Sequence, residues 1–175
     1  MNDVPAPPRI VVMGPSGSGK SVVGAALAAR LAARHPGIRF IDSDDLHPAA
    51  NVEKMRSGIP LDDDDRWPWL ARVGEALADA EGGCVIACSA LRRAYRDAIR
   101  AACPDAAFAE LVVPAAELGE RLEQRLGHFM PATLLSSQLD ELEPLGADER
   151  GVRVENRGAV EQVVDRAIAA MATGW

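Results

Sequence analysis

The chain has 175 residues, which is the length of one domain and enough to bury a sizeable core. Its formal net charge of -7 argues against a nucleic-acid partner, because such proteins need a basic face to neutralise phosphates. Hydrophobic residues make up 48% of the chain but aromatic residues only 4%, so we expect a core of closely packed aliphatic side chains. These values favour a globular domain with a small-molecule ligand.

The sequence lacks the features of a membrane or secreted protein. The longest nearly apolar run, residues 84–91, is far shorter than the roughly 18 residues of a bilayer span. Residues 1–8 have no basic segment followed by an apolar one, so we expect a flexible leader and not a signal peptide. The three cysteines lack the paired spacing of a zinc site, which favours reduced thiols in a cytoplasmic protein.

Predicted strands alternate with predicted helices, which indicates an α/β fold with a parallel sheet of about five strands flanked by helices. Residues 127–151 interrupt this alternation and are expected to leave the main layer. Ligands of such sheets bind at the carboxyl ends of the strands. The predicted strands are 9–13, 38–41, 84–88, 108–113 and 152–155. The predicted helices are 20–35, 51–57, 94–102, 114–126 and 160–171. A further helix, the third in chain order, is predicted from the helical spacing of Leu70, Val73, Leu77 and Ala80.

A phosphate-binding loop lies between the first strand and the first helix. Gly14–Ser21 matches G-x-x-x-x-G-K-[ST] in full, which predicts a P-loop NTPase fold that binds ATP. We expect Lys20, one of only two lysines among 19 basic residues, to reach the β- and γ-phosphates, and Ser21 to ligate Mg²⁺. The remaining nucleotide contacts are predicted at Gly14, Ser16, Gly17, Ser18 and Gly19.

Acidic residues follow the second strand, at the same edge of the sheet. We expect Asp42 to hold Mg²⁺ and Asp44 to accept the proton of an acceptor hydroxyl. The alternative is an acidic turn that caps a helix. A second acidic run, residues 62–65, is expected to cap the following helix, while Arg66 beside it is a candidate for the site.

Two pairs of arginines are further candidates. Arg92 and Arg93 follow the third strand and can grip a carboxylate or a phosphoryl group; the alternative is a solvated surface pair. Arg121 and Arg125 share one helix face, so they can close over ATP and neutralise its γ-phosphate. The alternative for Arg121 is an i,i+4 pair with Glu117.

The order of these motifs resembles the gluconate kinase (gluconokinase) family, small P-loop sugar-acid kinases, over about residues 9–170. The phosphate loop is shared by many NTPases, but the other matching stretches are specific in combination. They include Asp42-Ser-Asp-Asp-Leu-His-Pro48, Asn51-Val-Glu-Lys-Met55, Cys88-Ser-Ala-Leu91, His128-Phe129, Leu134-Leu135 and Ser137-Gln138.

The resemblance implies ATP-dependent phosphorylation of D-gluconate to 6-phospho-D-gluconate by a single domain spanning residues 1–175. It also implies a lid at about residues 121–145, as in nucleoside monophosphate kinases, and a homodimer. It assigns Asp44, Lys20, Arg121 and Arg125 to catalysis. Substrate binding is assigned to Asp44, His47, Lys54, Arg66, Arg92, Arg93 and His128.

Parts of the sequence also fit two other functions. Shikimate kinase also has Asp-x-Asp after its second strand, but its glycine triplet is replaced here by Cys88-Ser-Ala-Leu91. The second alternative is a nucleotide-gated binding module that hydrolyses little ATP. The position of Asp44 beside an expected acceptor pocket disfavours it.

Overall fold

A computed structural model describes residues 6–124 and 132–174 of the chain. Within these ranges, five parallel strands form one sheet. They are β1 (Arg9–Met13), β2 (Arg39–Asp42), β3 (Cys84–Ala87), β4 (Ala107–Val112) and β5 (Gly151–Glu155). Their order across the sheet is β2-β3-β1-β4-β5, so β1 and its following loop are central.

Helices cover both faces of this sheet, as the alternation predicts. They are α1 (Lys20–Leu31), α2 (Ala49–Arg56), α3 (Asp63–Ala78), α4 (Arg93–Ala102), α5 (Ala115–Glu123), α6 (Ala132–Glu141) and α7 (Val160–Gly174), with a short 3-10 helix at Ser43–Leu46. No helix in the described ranges combines the length and the apolar character that a bilayer crossing requires.

Several bounds shift by one to three residues, and three predicted elements differ in more notable ways. The first helix ends at Leu31 and not at residue 35, because the chain turns before Pro36-Gly37. The third helix already begins at Asp63, since Asp62 and Asp65 form a capping box that supports an earlier first turn. The segment predicted to be irregular contains a helix, α6, whereas residues 125–131 lie outside the described ranges.

The core lies on both sides of the sheet because side chains of each strand alternate between its faces. On one face Ile10 and Val12 pack with α1 and α7, and the buried members of that cluster are all aliphatic. On the other face, the cluster packed against α3 and α4 also contains three aromatic side chains. They are Trp69, Tyr95 and Phe108, and they depart from the expected aliphatic core.

A buried ion pair joins α4 to the segment that follows α6. The side chains of Arg96 and Glu149 are each 1% exposed, and two hydrogen bonds of 2.8 and 2.7 Å connect them. Burial alone would raise the pKa of Glu149, but hydrogen bonds from Arg96, the Gly146 amide and Arg100 lower it to about 2. The pair therefore depends on Glu149 being ionised.

We expect Glu149→Gln to lower the free energy of unfolding by about 3–5 kcal/mol, because Arg96 would remain buried without its counter-charge. The folded-state pKa of Glu149, about 2, is below its ordinary value of 4.5. Its contribution is therefore complete above pH 4.5 and is lost as the pH falls toward 2. Urea denaturation across this pH range measures both effects.

Asp148→Asn is the matched control, because Asp148 is an exposed neighbour that pairs with Arg93 on the surface. Its urea midpoint should stay close to that of the wild type. Equal destabilisation by the two variants would contradict a special contribution from the buried pair.

Candidate active site

The phosphate loop has the backbone geometry that an anion cradle requires. Gly14, Gly17 and Gly19 have φ angles of 151, 80 and 86°, which side chains other than glycine rarely adopt. The Lys20 ammonium donates a hydrogen bond of 3.1 Å to the Pro15 carbonyl, so it folds back over the loop. The loop lies between β1 and α1, as predicted, with its amides at the start of a helix.

Asn156, which follows β5, holds the phosphate loop by a hydrogen bond to its backbone. Its side-chain amide donates a 2.6 Å hydrogen bond to the Ser18 backbone carbonyl, and its backbone carbonyl accepts one of 3.1 Å from Arg121. Arg121 also pairs with Glu117, as the alternative interpretation anticipated, yet it lies beside Gly19. Sequence reasoning did not identify Asn156, since no local pattern marks it.

Ser21 and Asp42 meet at the carboxyl edge of the sheet. The Ser21 hydroxyl donates a hydrogen bond of 2.6 Å to Asp42 Oδ2, while Asp42 Oδ1 accepts one of 3.1 Å from the Asp44 amide. Asp42 therefore caps the 3-10 helix, as the alternative interpretation anticipated, and also contacts Ser21 at the end of the phosphate loop. A hydroxyl and a carboxylate are the hard oxygen donors that Mg²⁺ prefers beside substrate phosphates.

Asp44 lies on the 3-10 helix that follows β2. Burial is the main cause that raises the pKa of its carboxyl above the ordinary value, and the negative charge of Asp42 adds to this. The opposing influences of His47 and Lys20 are smaller. A carboxylate with a raised pKa is a stronger base, which suits a proton acceptor.

His47 is held by stacking and by a buried amide. Its ring stacks on Trp69 with the ring centres 4.3 Å apart, and Asn51 Nδ2 lies 3.3 Å from His47 Nδ1. Trp69 in turn donates a 2.7 Å hydrogen bond to the Ser43 carbonyl, which fixes the acidic loop. Burial lowers the pKa of His47, and this outweighs the nearby charge of Asp44.

Lys54 contacts the start of α3. Its ammonium lies 2.7 Å from both carboxylate oxygens of Asp65, the residue that closes the capping box with Asp62. The hydrogen bond to Asp65 raises the pKa of Lys54, so the ammonium stays charged. Lys54 thus holds the turn from which Arg66 projects.

Two guanidinium groups, those of Arg66 and Arg92, lie over the ring of Tyr95, each 5.5 Å from its centre. The Tyr95 hydroxyl accepts a 2.6 Å hydrogen bond from Arg66 and donates one of 2.6 Å to Asp63. Glu141 of α6 completes the group, at 3.5 Å from Arg66 and 3.4 Å from Arg92. We call these five residues the arginine cluster.

The structure separates the two neighbouring arginines of the predicted pair. Arg93 binds both carboxylate oxygens of Asp148, at 3.0 and 2.7 Å, on the exposed surface of α4, whereas Arg92 turns toward Arg66. Arg125 and His128, the other predicted site residues of the lid, lie outside the described ranges. Sequence reasoning did not assign Tyr95 or Glu141 to the site, although Tyr95 follows Arg92 at a helical spacing of three.

Comparisons with known proteins show the family to which the chain belongs. A family model described as AAA domain matches residues 10–145. A gluconokinase from Gluconobacter oxydans is 45% identical over 165 residues, which cover 93% of this chain and 90% of that protein. The chain belongs to the gluconokinase family. The crystal structure of a gluconokinase from Sinorhizobium meliloti superposes with a TM-score of 0.83 at 48% identity, covering 95% of this chain and 93% of that one.

The resemblance to the gluconokinase family seen in the sequence is therefore confirmed, as is the P-loop kinase fold. A shikimate kinase from Aquifex aeolicus also superposes, with a TM-score of 0.61 at 20% identity, over 94% of this chain and 96% of that one. At that identity the likeness extends to the fold only.

The stacked pair of His47 and Trp69 predicts a pH-dependent fluorescence signal in this gluconokinase family member. A protonated imidazole quenches an indole in contact with it, and burial lowers the pKa of His47. We expect a quenching transition with its midpoint below pH 6.5, the ordinary value. His47→Gln should abolish it and Trp67→Phe should retain it; a midpoint above 6.5 would contradict the buried, stacked geometry.

Proposed function

We propose that the chain transfers the terminal phosphoryl group of ATP to the terminal hydroxyl of D-gluconate, giving 6-phospho-D-gluconate and ADP. The observation that carries this proposal is the arginine cluster, at the same edge of the sheet as the phosphate loop and Asp44. Paired guanidiniums bind a carboxylate with matched geometry, and gluconate carries a carboxylate at the end opposite its terminal hydroxyl.

The nucleotide binds at the phosphate loop. Backbone amides of residues 14–19 surround the phosphates, and the Lys20 ammonium turns from the Pro15 carbonyl to the phosphate oxygens. Ser21 and Asp42 would hold Mg²⁺, which neutralises phosphate charge when bound. Arg121 reaches the same loop through Asn156 and stabilises the charge on the transferred group, together with Arg125 in the predicted lid.

The acceptor lies between the arginine cluster and Asp44. Arg66 and Arg92 bind the carboxylate, while Lys54 acts indirectly by holding the start of α3. His47 lies beside Asp44 and, with its Nδ1 next to the Asn51 amide, offers Nε2 to a hydroxyl of the sugar chain. Gluconate is thereby fixed at both ends, which brings its terminal hydroxyl to the phosphate loop.

Asp44 acts as the proton acceptor. As the hydroxyl oxygen forms its bond to the γ-phosphorus, the bond between that phosphorus and the bridging oxygen of ADP breaks, and the hydroxyl proton passes to Asp44. The raised pKa of Asp44, caused by burial and by Asp42, strengthens this carboxylate as a base.

The cellular setting is part of the proposal. Cys84, Cys88 and Cys103 are buried free thiols, and burial raises the pKa of Cys88 to about 11, so it stays protonated and unreactive. Such thiols suit the reducing cytoplasm. The homodimer, the leader of residues 1–8 and the lid over about residues 121–145 stay predictions from the sequence.

Measurement of ADP formation with a panel of acceptors tests this function. We expect rapid turnover with D-gluconate and slow turnover with D-glucitol, which lacks the carboxylate, and with shikimate. Asp44→Asn should lower kcat by about 10²–10⁴-fold, because general-base catalysis contributes that much. Turnover that is independent of the acceptor would support a nucleotide-gated module instead.

Single substitutions of the two adjacent arginines test the carboxylate site. Arg92→Gln should raise the KM for gluconate about tenfold or more, since a charge-assisted hydrogen bond contributes about 1.5–3 kcal/mol. Arg93→Gln should raise it far less, because Arg93 is paired with Asp148. The KM for ATP should change little in either variant. An equal or larger effect of Arg93→Gln would contradict the assignment.

A further inference from the structure

One helix reaches both halves of the proposed site. Gln138 and Glu141 lie three residues apart on α6, so they project from the same face of that helix. Gln138 Oε1 accepts a 2.7 Å hydrogen bond from the amide of Ser16 in the phosphate loop. Glu141 contacts Arg92 at 3.4 Å and Arg66 at 3.5 Å in the arginine cluster.

Each contact uses a group that the proposed substrates also need. The Ser16 amide has one hydrogen, so it donates either to Gln138 or to an oxygen of the nucleotide, but not fully to both. The Gln138 carbonyl is a neutral oxygen acceptor at a place where a phosphate oxygen is the expected partner.

The charges of the arginine cluster likewise indicate that a substrate group would replace a side chain of α6. Arg66 and Arg92 carry two positive charges, which Asp63 and Glu141 balance with two negative ones. A substrate carboxylate added to this group would face two carboxylates at close range. If it replaces Glu141, the balance is kept, and the released Glu141 is solvated.

We propose that Gln138 and Glu141 are placeholders, which occupy the phosphate-binding amide and the carboxylate-binding arginines until ATP and gluconate displace them. This inference rests on the proposed function. Because both side chains belong to α6, displacement of one loosens the hold of the other, so each substrate assists the binding of the second.

The strength of the contacts fits an exchangeable role at the arginine cluster. The distances from Glu141 to its two arginines are near the long end of an ion pair, and its side chain is 25% exposed. By contrast, Arg93 and Asp148 approach to 2.7 Å with paired hydrogen bonds. Water can therefore reach Glu141 as it leaves.

Titration calorimetry with D-gluconate, without nucleotide, tests the carboxylate half. Glu141→Gln should tighten gluconate binding about two- to fivefold, the range set by a partly exposed ion pair. A residue with only a structural role would weaken binding when removed. Asp140→Asn is the control, because it removes the same charge from the exposed preceding residue. Unchanged or weaker binding by Glu141→Gln, or equal tightening by Asp140→Asn, would overturn the inference.

The nucleotide half is tested with a non-hydrolysable ATP analogue in the absence of gluconate. Gln138→Ala should tighten its binding about two- to tenfold, as expected for one displaced hydrogen bond. Ser137→Ala, at the exposed neighbouring position, should have no such effect. Circular dichroism and thermal unfolding establish that each variant is folded. Weaker or unchanged binding by a folded Gln138→Ala would overturn this half.

The coupling is measured as the ratio of gluconate dissociation constants without and with the ATP analogue. This ratio should exceed one in the wild type and approach one in the double variant Gln138→Ala, Glu141→Gln. If the wild type phosphorylates gluconate but the double variant keeps the full ratio, the inference is overturned and the proposed function stands. A wild type that does not bind or phosphorylate gluconate overturns the proposed function.

Discussion

The guanidinium of buried Arg96 is the contact on which the geometry of the site depends. It binds Glu149 through Nε and Nη2, and its Nη1 donates to the carbonyls of Ala90, Leu91 and Glu143. One side chain thus joins the loop after β3, which leads to Arg92, to the segment after α6, which follows Glu141. Ala90 has a φ of 43°, a conformation that such surrounding contacts must enforce.

The parts of the molecule that follow from local sequence were predictable. The phosphate loop is one contiguous motif whose residue types and spacing determine its chemistry, and the structure gives it the expected backbone. The strands and the last helix followed from hydrophobic periodicity, and the acidic edge followed from the general rule for parallel sheets. Asp42 shows the limit of this reasoning, because the sequence sets a metal ligand against a helix cap, whereas the carboxylate that caps the 3-10 helix also contacts Ser21.

The arginine cluster could not be predicted in the same way, because its members are distant in sequence. Arg92 and Arg93 are adjacent, and only the fold decides that one meets Asp63, 29 residues earlier, while the other meets Asp148, 55 residues later. Lys54 illustrates a related difficulty. The sequence predicts that Lys54 binds the substrate, whereas in the structure its ammonium contacts Asp65 at the start of a helix.

The order of the strands has a consequence for the placement of Asp44. Because β3 separates β2 from β1, the acidic loop and the phosphate loop leave the sheet two strand intervals apart, or about 10 Å. Backbone hydrogen bonds set this interval, and no side-chain substitution changes it. The sheet backbone therefore fixes where the acidic loop that carries Asp44 begins relative to the phosphate loop, while the side chains at this edge select the charge of the acceptor. Exchanging the arginines would alter which acceptors are bound, without altering the separation of the two strands from which these loops start.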